Sequence, residues 1–169
     1  SKMLTKISDL LINDFPSRRM IAVSGCSSSG KSTFSKLLKS HIERNYAGFE
    51  CQVLPMDSYF MNREDRPRDE NGKIDYESMR IIHTDLLAKR IDDLLEGHSI
   101  PERKYDYVNG IGADLEGTKL TLKNNDFLIV EGLHALNSDF LKKITKTNAL
   151  KIYISPIAPL SIDCEHPVD

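Results

Sequence analysis

Hydrophobic and polar positions follow two different periods along the chain, and the periods predict helices and strands in alternation. Apolar residues recur every three to four positions from Met3 to Phe15, which predicts an amphipathic helix that ends at Pro16. Four short apolar runs predict strands, at residues 20–24, 50–57, 126–132 and 149–155. Such runs are typical of a parallel sheet that is covered on both faces.

The segments between these strands predict the remaining layers. Helical spacing covers residues 31–45 and 76–97, with Gly97 closing the second helix. A short strand is expected at 119–122, and the polar segment 58–75 is too long for a simple connection. We therefore expect an α/β three-layer sandwich with a parallel sheet, formed by residues 1–169 as one domain. Its N-terminal amphipathic helix, residues 1–16, should pack on the domain's own surface.

Composition points to a small partner. The 169 residues are 40% hydrophobic, and 23 basic against 25 acidic side chains leave a net charge of -2. No global positive field attracts nucleic acid or a membrane surface, and no apolar stretch approaches the about 20 residues that span a bilayer. Three cysteines without metal-type spacing, Cys26, Cys51 and Cys164, favour the reducing cytoplasm. The oligomeric state, including a homo-oligomer, stays open.

The segment "GCSSSGKST" lies between the first strand and the second helix, and it fits the phosphate-loop pattern G-x-x-x-x-G-K-[ST]. Two glycines let the backbone curl so that its N–H groups surround a phosphate, and the helix adds its positive dipole end. The lysine can reach the β- and γ-phosphates of ATP, and the following serine can ligate Mg²⁺. The expected ATP-binding residues are Gly25, Cys26, Ser27, Ser28, Ser29, Gly30, Lys31, Ser32 and Thr33.

Two carboxylates follow predicted strands and should lie near this loop. Glu131 ends a predicted central strand, where it could hold Mg²⁺ or orient the attacking group, although a surface glutamate would satisfy the same pattern. Asp57 follows the second strand and suits a general base for a substrate hydroxyl. Capping of a turn is an equally good interpretation of Asp57.

Five segments in this order, "GCSSSGKST", "LPMDSYF", "DENGKIDYES", "KYDY" and "LIVEGLHAL", resemble the uridine kinase and phosphoribulokinase-like group of P-loop kinases, over roughly residues 20 to 163. The resemblance implies a P-loop NTPase fold similar to nucleoside monophosphate kinases, with the Glu131 strand between the first two strands. It implies transfer of the ATP γ-phosphate to a ribose 5′-hydroxyl. It also implies that Asp57 is the catalytic aspartate, that Glu131 lies at the metal site, that Asp75 binds the ribose and that Tyr105 contacts the base. The loop pattern itself gives Lys31 its catalytic role and Ser32 its role at the metal.

The sequence departs from uridine kinases at two points. A histidine that contacts the pyrimidine follows the "YDF"-type motif in those enzymes, whereas this chain has Asn109 and Gly110. The family also continues into an arginine-rich lid, but the last arginine here is Arg103, so we expect that the lid is absent from this chain.

Two other functions remain open at this stage. The first is a P-loop kinase for another hydroxyl acceptor, such as a sugar phosphate or pantothenate, which the loop arginines Arg63, Arg66 and Arg68 would suit. The second is a nucleotide-binding module without catalysis. A GTPase is disfavoured because the chain has no N/T-K-x-D guanine motif.

Overall fold

The computed structural model describes residues 1–26, 29–75 and 78–155. Within them, the helices are α1 (Lys2–Asp14), α2 (Lys31–Asn45), α3 (Thr84–Leu95) and α4 (Ser138–Lys142). The strands are β1 (Met20–Ser24), β2 (Glu50–Pro55), β3 (Ile100–Asp106), β4 (Ile111–Leu120), β5 (Asp126–Glu131) and β6 (Ala149–Tyr153). The strand predicted before the phosphate loop and the helix predicted after it are confirmed as β1 and α2.

A parallel sheet of four strands in the order β2-β5-β1-β6 forms the middle layer. Strand β5 lies between β1 and β2, as the family resemblance implies, and its last residue Glu131 is in register with both Val23 and Pro55. Because all pairs are parallel, the carboxyl ends of β1, β2 and β5 meet at one edge. The prediction is less accurate for β6, which is an edge strand with exposed positions rather than a central one.

Each face of the sheet carries its own hydrophobic core, which confirms the three layers. Alternate residues of β1 point to opposite faces: Met20 and Ala22 join one core, and Ile21 and Val23 join the other. The first core also contains residues of α3 and α4. The second contains residues of α1 and α2, so the N-terminal helix packs on its own chain, through the fully buried Leu11.

A β-hairpin outside the parallel sheet was not expected from the sequence. Strands β3 and β4 pair antiparallel from Ile100 with Leu120 to Asp106 with Ile111. Only the end of β4 overlaps the short strand predicted at 119–122. The hairpin's polar and exposed positions, and the turn at residues 107–110, explain why apolar periodicity did not detect it.

The helix predicted over 76–97 is too long at its start. Helix α3 begins only at Thr84, after a short 3₁₀ turn at Met79–Ile81. Ile82 between them is extended, because it bridges to Phe60, and the next N–H, that of His83, donates to the Tyr59 carbonyl. Contacts with the polar segment 58–75 therefore override the helical spacing of the apolar residues. Among the described residues, no helix is long and apolar enough to cross a membrane.

Two neighbouring leucines of α2 provide a test of the second core. Leu38 is 0% exposed, whereas Leu37 is 53% exposed. We expect Leu38→Ala to lower the free energy of unfolding by about 2 to 5 kcal/mol, because it removes buried methyl groups and leaves a cavity. The matched variant Leu37→Ala should change it by less than about 0.5 kcal/mol. Urea denaturation of both variants measures the difference, and equal losses would contradict the packing described here.

Candidate phosphoryl-transfer site

The phosphate-loop segment turns tightly between β1 and α2. A Cβ atom on Gly25 would lie 2.4 Å from the Ile154 carbonyl oxygen and 2.5 Å from Ser29 Oγ, so only glycine fits there. Gly30 has a φ of 93° in the left-handed region and begins α2 as its N-cap. The helix N-terminus, with its free N–H groups, is thereby directed to the space enclosed by the loop.

Polar groups of the described part of the loop are available for a phosphate. Ser29 Oγ is buried and has no hydrogen-bond partner among the described residues. Lys31 Nζ donates to the Cys26 carbonyl at 3.0 Å, so the lysine side chain folds back over the loop. Thr33 is exposed in the first turn of α2. Ser27 and Ser28, also expected to bind ATP, lie outside the described residues.

Ser32 and Glu131 come together at the end of β5. Ser32 Oγ lies 3.5 Å from Glu131 Oε1 and donates to it. Burial raises the pKa of Glu131, and the nearby carboxylate of Asp57 raises it further, whereas Lys31 and Ser32 act in the opposite direction. The phosphate loop, Glu131 and Asp57 therefore share one electrostatic environment.

The donor atoms of Ser32 and Glu131 suit Mg²⁺. A hydroxyl and a carboxylate are hard oxygen ligands, and Mg²⁺ in proteins commonly takes one or two carboxylates and completes its shell with phosphate and water oxygens. Within the described residues, no cluster of three or more Asp, Glu, His or Cys side chains is arranged to hold a metal. The pair would supply two oxygen ligands and leave the other positions of the metal to phosphate and water oxygens.

Asp57 lies in a 3₁₀ turn, Met56–Tyr59, directly after β2. Its side chain does not cap that turn, which removes the main support for the turn-cap interpretation. Instead, Asp57 Oδ2 accepts from the hydroxyl of Tyr107 at 3.5 Å. Although part of Asp57 is accessible to solvent, desolvation by the surrounding protein raises its pKa, while Lys31 and Tyr107 partly oppose this. A carboxylate with a raised pKa beside a phosphate-loop lysine suits a general base.

An aromatic pocket of about 240 Å³ opens beside Asp57 and contains Tyr105. Its lining residues are Phe60, Arg63, Arg66, Ile81, Tyr105 and Tyr107. The ring of Tyr105 makes edge-to-face contacts with the rings of Phe60 at 5.5 Å and Tyr107 at 5.1 Å. Tyr107 belongs to both regions, because its hydroxyl contacts Asp57. An acceptor molecule in this pocket could therefore present a hydroxyl to Asp57.

Asp75 is not brought into the aromatic pocket. It is exposed and lines a separate cavity of about 80 Å³ together with Arg68 and Arg80. The two cavities share Ile81 in their walls. Tyr76 and Glu77, which follow Asp75 in the chain, lie outside the described residues. The structure thus groups Lys31, Asp57 and Glu131, with Tyr105 in the adjoining pocket, and leaves Asp75 at a neighbouring cavity.

Phe60 and Tyr107 line the aromatic pocket although neither is singled out by the sequence, and Arg66 is expected there only as one of the arginines that would suit a different acceptor. Arg66, one of three arginines in a polar segment, is only 6% exposed, and no periodicity could have identified it as buried. Phe60 precedes it in the same segment. Tyr107 follows the end of β3 and lies two residues after Tyr105 in the segment "KYDY", and this proximity is its only sequence signal.

Arg63 fills the space beside the position where uridine kinases carry a histidine. A Cβ atom on Gly110 would lie 2.8 Å from both Cβ and Cζ of Arg63. Arg63 N donates to the Gly110 carbonyl at 2.7 Å, and its guanidinium donates to the Tyr107 carbonyl at 2.8 Å. The absence of a side chain at Gly110 therefore allows an arginine to line the aromatic pocket.

Comparison with known proteins agrees with this geometry. A sequence model of the Phosphoribulokinase / Uridine kinase family matches residues 20–163. The chain belongs to this family.

Individual members of the family share about 30% of their residues with this chain. The chain is 30% identical over 144 residues to a uridine kinase of Macrococcus caseolyticus, and 29% identical over 143 residues to one of Staphylococcus aureus. Each match covers 85% of this chain but only 65% and 64% of the respective relatives, so the chain spans somewhat less than two thirds of their length. The expected absence of a lid concerns residues 156–169, which lie outside the described part of the chain.

A solved structure described as a possible uridine kinase from Bacillus stearothermophilus is similar to this chain with a TM-score of 0.68. The sequences are 16% identical, and the match covers 89% of this chain and 78% of that one. At this identity the likeness concerns the fold, and it confirms the expected P-loop kinase architecture.

The raised pKa of Asp57 predicts that this side chain opposes folding at neutral pH. The folded chain holds the Asp57 proton more tightly than the unfolded chain. Above the raised pKa, the ionised carboxylate therefore destabilises the fold. Below the pKa of Asp in the unfolded chain, about 3.9, the carboxyl is protonated in both states and this destabilisation is absent. We expect Asp57→Asn to raise the free energy of unfolding at pH 7.5, by less than about 1 kcal/mol because the group is partly solvated. The gain should shrink at pH 4.5.

Thermal and urea unfolding at the two pH values measure this effect. Glu70→Gln serves as the control, since Glu70 is an exposed carboxyl in the same polar segment. A destabilised Asp57→Asn variant at pH 7.5 would show that the carboxylate supports the fold and would contradict the electrostatic description.

Proposed function

We propose that this chain carries the phosphoryl-transfer site of an ATP-dependent kinase whose acceptor is the 5′-hydroxyl of a pyrimidine nucleoside. One observation carries the proposal: Asp57 combines a raised pKa with proximity to Lys31 of the phosphate loop. A general base is thus next to the group that would hold the transferred phosphate. Membership of the Phosphoribulokinase / Uridine kinase family supports the same reaction.

Each polar group has a proposed role in the transfer. Asp57 accepts the proton of the acceptor hydroxyl as its oxygen forms a bond to the γ-phosphorus and the bond from that phosphorus to the β–γ bridging oxygen breaks. Lys31, the loop N–H groups and Ser29 bind phosphate oxygens. Ser32 and Glu131 would hold Mg²⁺, which when bound neutralises charge on the β- and γ-phosphates.

The aromatic pocket is the proposed site for the nucleoside. Phe60, Tyr105 and Tyr107 offer ring faces and edges of the kind that stack against a base, a contact worth about 1 to 3 kcal/mol. Asp75, at the neighbouring cavity, is the proposed contact of the ribose. The substrates are therefore small molecules, and the free thiols of Cys26 and Cys51 are compatible with the proposed cytoplasmic location.

One observation favours a second acceptor class. Arg63 and Arg66 both line the aromatic pocket, and guanidinium groups also bind phosphates and carboxylates. A sugar phosphate or pantothenate is therefore the alternative acceptor. An ATP-consumption assay of the chain with nucleosides, sugar phosphates and pantothenate distinguishes the classes, and consumption with none of them would favour a nucleotide-binding module.

Lys31→Ala tests the phosphate loop. We expect at least about a 100-fold loss of ATP turnover, because the removed ammonium group acts on the transferred phosphate. Circular dichroism and the unfolding midpoint should change little, since Lys31 contributes one hydrogen bond to the loop. Lys36→Ala is the control, because Lys36 is exposed on the same helix. Ordinary turnover by Lys31→Ala would contradict the kinase proposal.

Asp57→Asn tests the base. We expect turnover to fall by about 10²- to 10⁴-fold, the range for a positioned proton acceptor, while the affinity for Mg-ATP stays within about threefold of the unaltered chain. Steady-state rates and nucleotide titration measure the two quantities. In the unaltered chain, turnover should fall as pH decreases through the raised pKa of Asp57, because only the ionised form accepts a proton. Near-normal turnover by the variant would exclude Asp57 as the base.

A further inference from the structure

We infer that Asp114 is a positioning residue for the proposed general base, because it holds two arginines against the ring of Tyr59, in the turn that carries Asp57. This inference rests on the proposed function, which it deepens by naming the group that sets the position of the base. It assigns a role to four residues that the proposed transfer does not use. These residues, called here the Tyr59 cluster, are Tyr59, Arg90, Arg103 and Asp114.

The ring of Tyr59 is contacted by two positive charges. Tyr59 is the last residue of the 3₁₀ turn that contains Asp57, and its side chain is fully buried. The guanidinium carbons of Arg90 and Arg103 lie 5.6 Å and 5.7 Å from the centre of its ring. Arg90 also donates to the Tyr59 hydroxyl at 3.4 Å. Only 12% and 11% of the two arginine side chains are exposed, so water contributes little to their solvation.

Asp114 is the carboxylate that both arginines share. Arg90 donates two hydrogen bonds to it, from Nη1 to Oδ1 and from Nη2 to Oδ2, each 2.8 Å long. Arg103 is paired with Asp114 across the hairpin, and its Nη1 lies 3.4 Å from Oδ1. Arg103 Nε is buried and has no hydrogen-bond partner among the described residues. Two guanidiniums beside one ring repel each other, and a carboxylate bonded to both offsets that repulsion.

The Tyr59 cluster connects the turn of the base to three other elements. Arg90 belongs to α3, Arg103 to β3 and Asp114 to β4. The Tyr59 carbonyl also accepts from the N–H of His83, directly before α3, at 2.9 Å. The last residue of the turn is therefore held through its backbone and through its ring.

The hairpin that carries Arg103 and Asp114 also contacts the base itself. Tyr107 follows the end of β3, and its hydroxyl donates to Asp57 Oδ2 at 3.5 Å. Every residue from Arg103 to the end of β3 is paired in register with β4. The position of Arg103 therefore determines where Tyr107 meets Asp57. Loss of the Asp114 carboxylate should displace both the turn and the tyrosine that bonds the base.

Asp114→Asn tests the inference, since asparagine keeps the shape of the side chain and loses its charge. We expect kcat for uridine phosphorylation to fall at least about tenfold, because a misplacement of about 1 Å in a catalytic group can cost about 10²-fold in rate. ATP affinity should stay within about twofold, since the Tyr59 cluster is separate from the phosphate loop. Asp114→Glu restores the carboxylate and should recover kcat to within about threefold of the unaltered chain.

Amide hydrogen exchange, followed by NMR, tests the hold on the turn without a substrate. The N–H groups of Phe60 and His83 each donate to a carbonyl of the 3₁₀ turn. In Asp114→Asn, both should exchange at least about tenfold faster, because the turn opens more often when its ring is released. The N–H of Gly132, which donates to a β1 carbonyl at the sheet edge, should keep its exchange rate.

Glu116→Gln is the matched control. Glu116 is exposed on β4, two residues after Asp114, and lies outside the Tyr59 cluster. Its variant should keep the kcat and the exchange rates of the unaltered chain. If Asp114→Asn fails to fold, Arg90→Lys keeps the positive charge but loses the two parallel hydrogen bonds to Asp114. This variant should change kcat and both exchange rates in the same direction.

The outcomes separate this inference from the proposed function. An Asp114→Asn variant with ordinary kcat, or with unchanged exchange at Phe60 and His83, would overturn the inference while leaving nucleoside phosphorylation intact. A lower melting temperature with both readouts unchanged would overturn it too, because the Tyr59 cluster would then only stabilise the hairpin. Phosphorylation of no nucleoside by an unaltered chain that binds ATP would contradict the proposed function, whereas the exchange rates would still decide whether Asp114 holds the turn.

Discussion

The parallel pairing of β5 between β1 and β2 is the constraint on which the site depends. Glu131 is in register with Val23 on one side and with Pro55 on the other. The chain leaves β1 into the phosphate loop and leaves β2 into the turn that carries Asp57. This pairing therefore brings groups from three distant parts of the sequence to the same sheet edge, where ligand sites of open parallel sheets form.

The same arrangement places two partly desolvated carboxylates, Asp57 and Glu131, near each other. Burial raises the pKa of Glu131, and the Asp57 carboxylate raises it further. Lys31 offsets part of this cost, and so does the Ser32 hydroxyl. Bound metal and phosphate would change the balance, because a cation next to Glu131 favours its ionised form. The unfavourable proximity of the two carboxylates in the free chain would therefore be relieved when a cation binds beside them.

The sequence was sufficient for features whose causes are local. Apolar runs predicted β1, β2 and β5 and thus the sheet, and the glycine and lysine spacing predicted the loop, because one strand, one turn and one helix terminus determine it. The sequence was insufficient for features that contacts between distant residues determine. The extended Ile82 delays α3 because it pairs with Phe60, and the hairpin of β3 and β4 is polar on much of its surface. The family resemblance, not the periodicity, singled out Tyr105, and neither singled out Arg66.

Arg66 illustrates why such a residue escapes prediction. Transfer of a guanidinium from water to a protein interior has a large desolvation cost, so an arginine in a polar segment is expected at the surface. Here, two aromatic rings and acceptors on Met61 and Tyr105 compensate that cost, and they come from both the polar segment and β3. A hydrophobic side chain of similar volume would fill the same space without the desolvation cost. Packing alone therefore does not account for an arginine at this position.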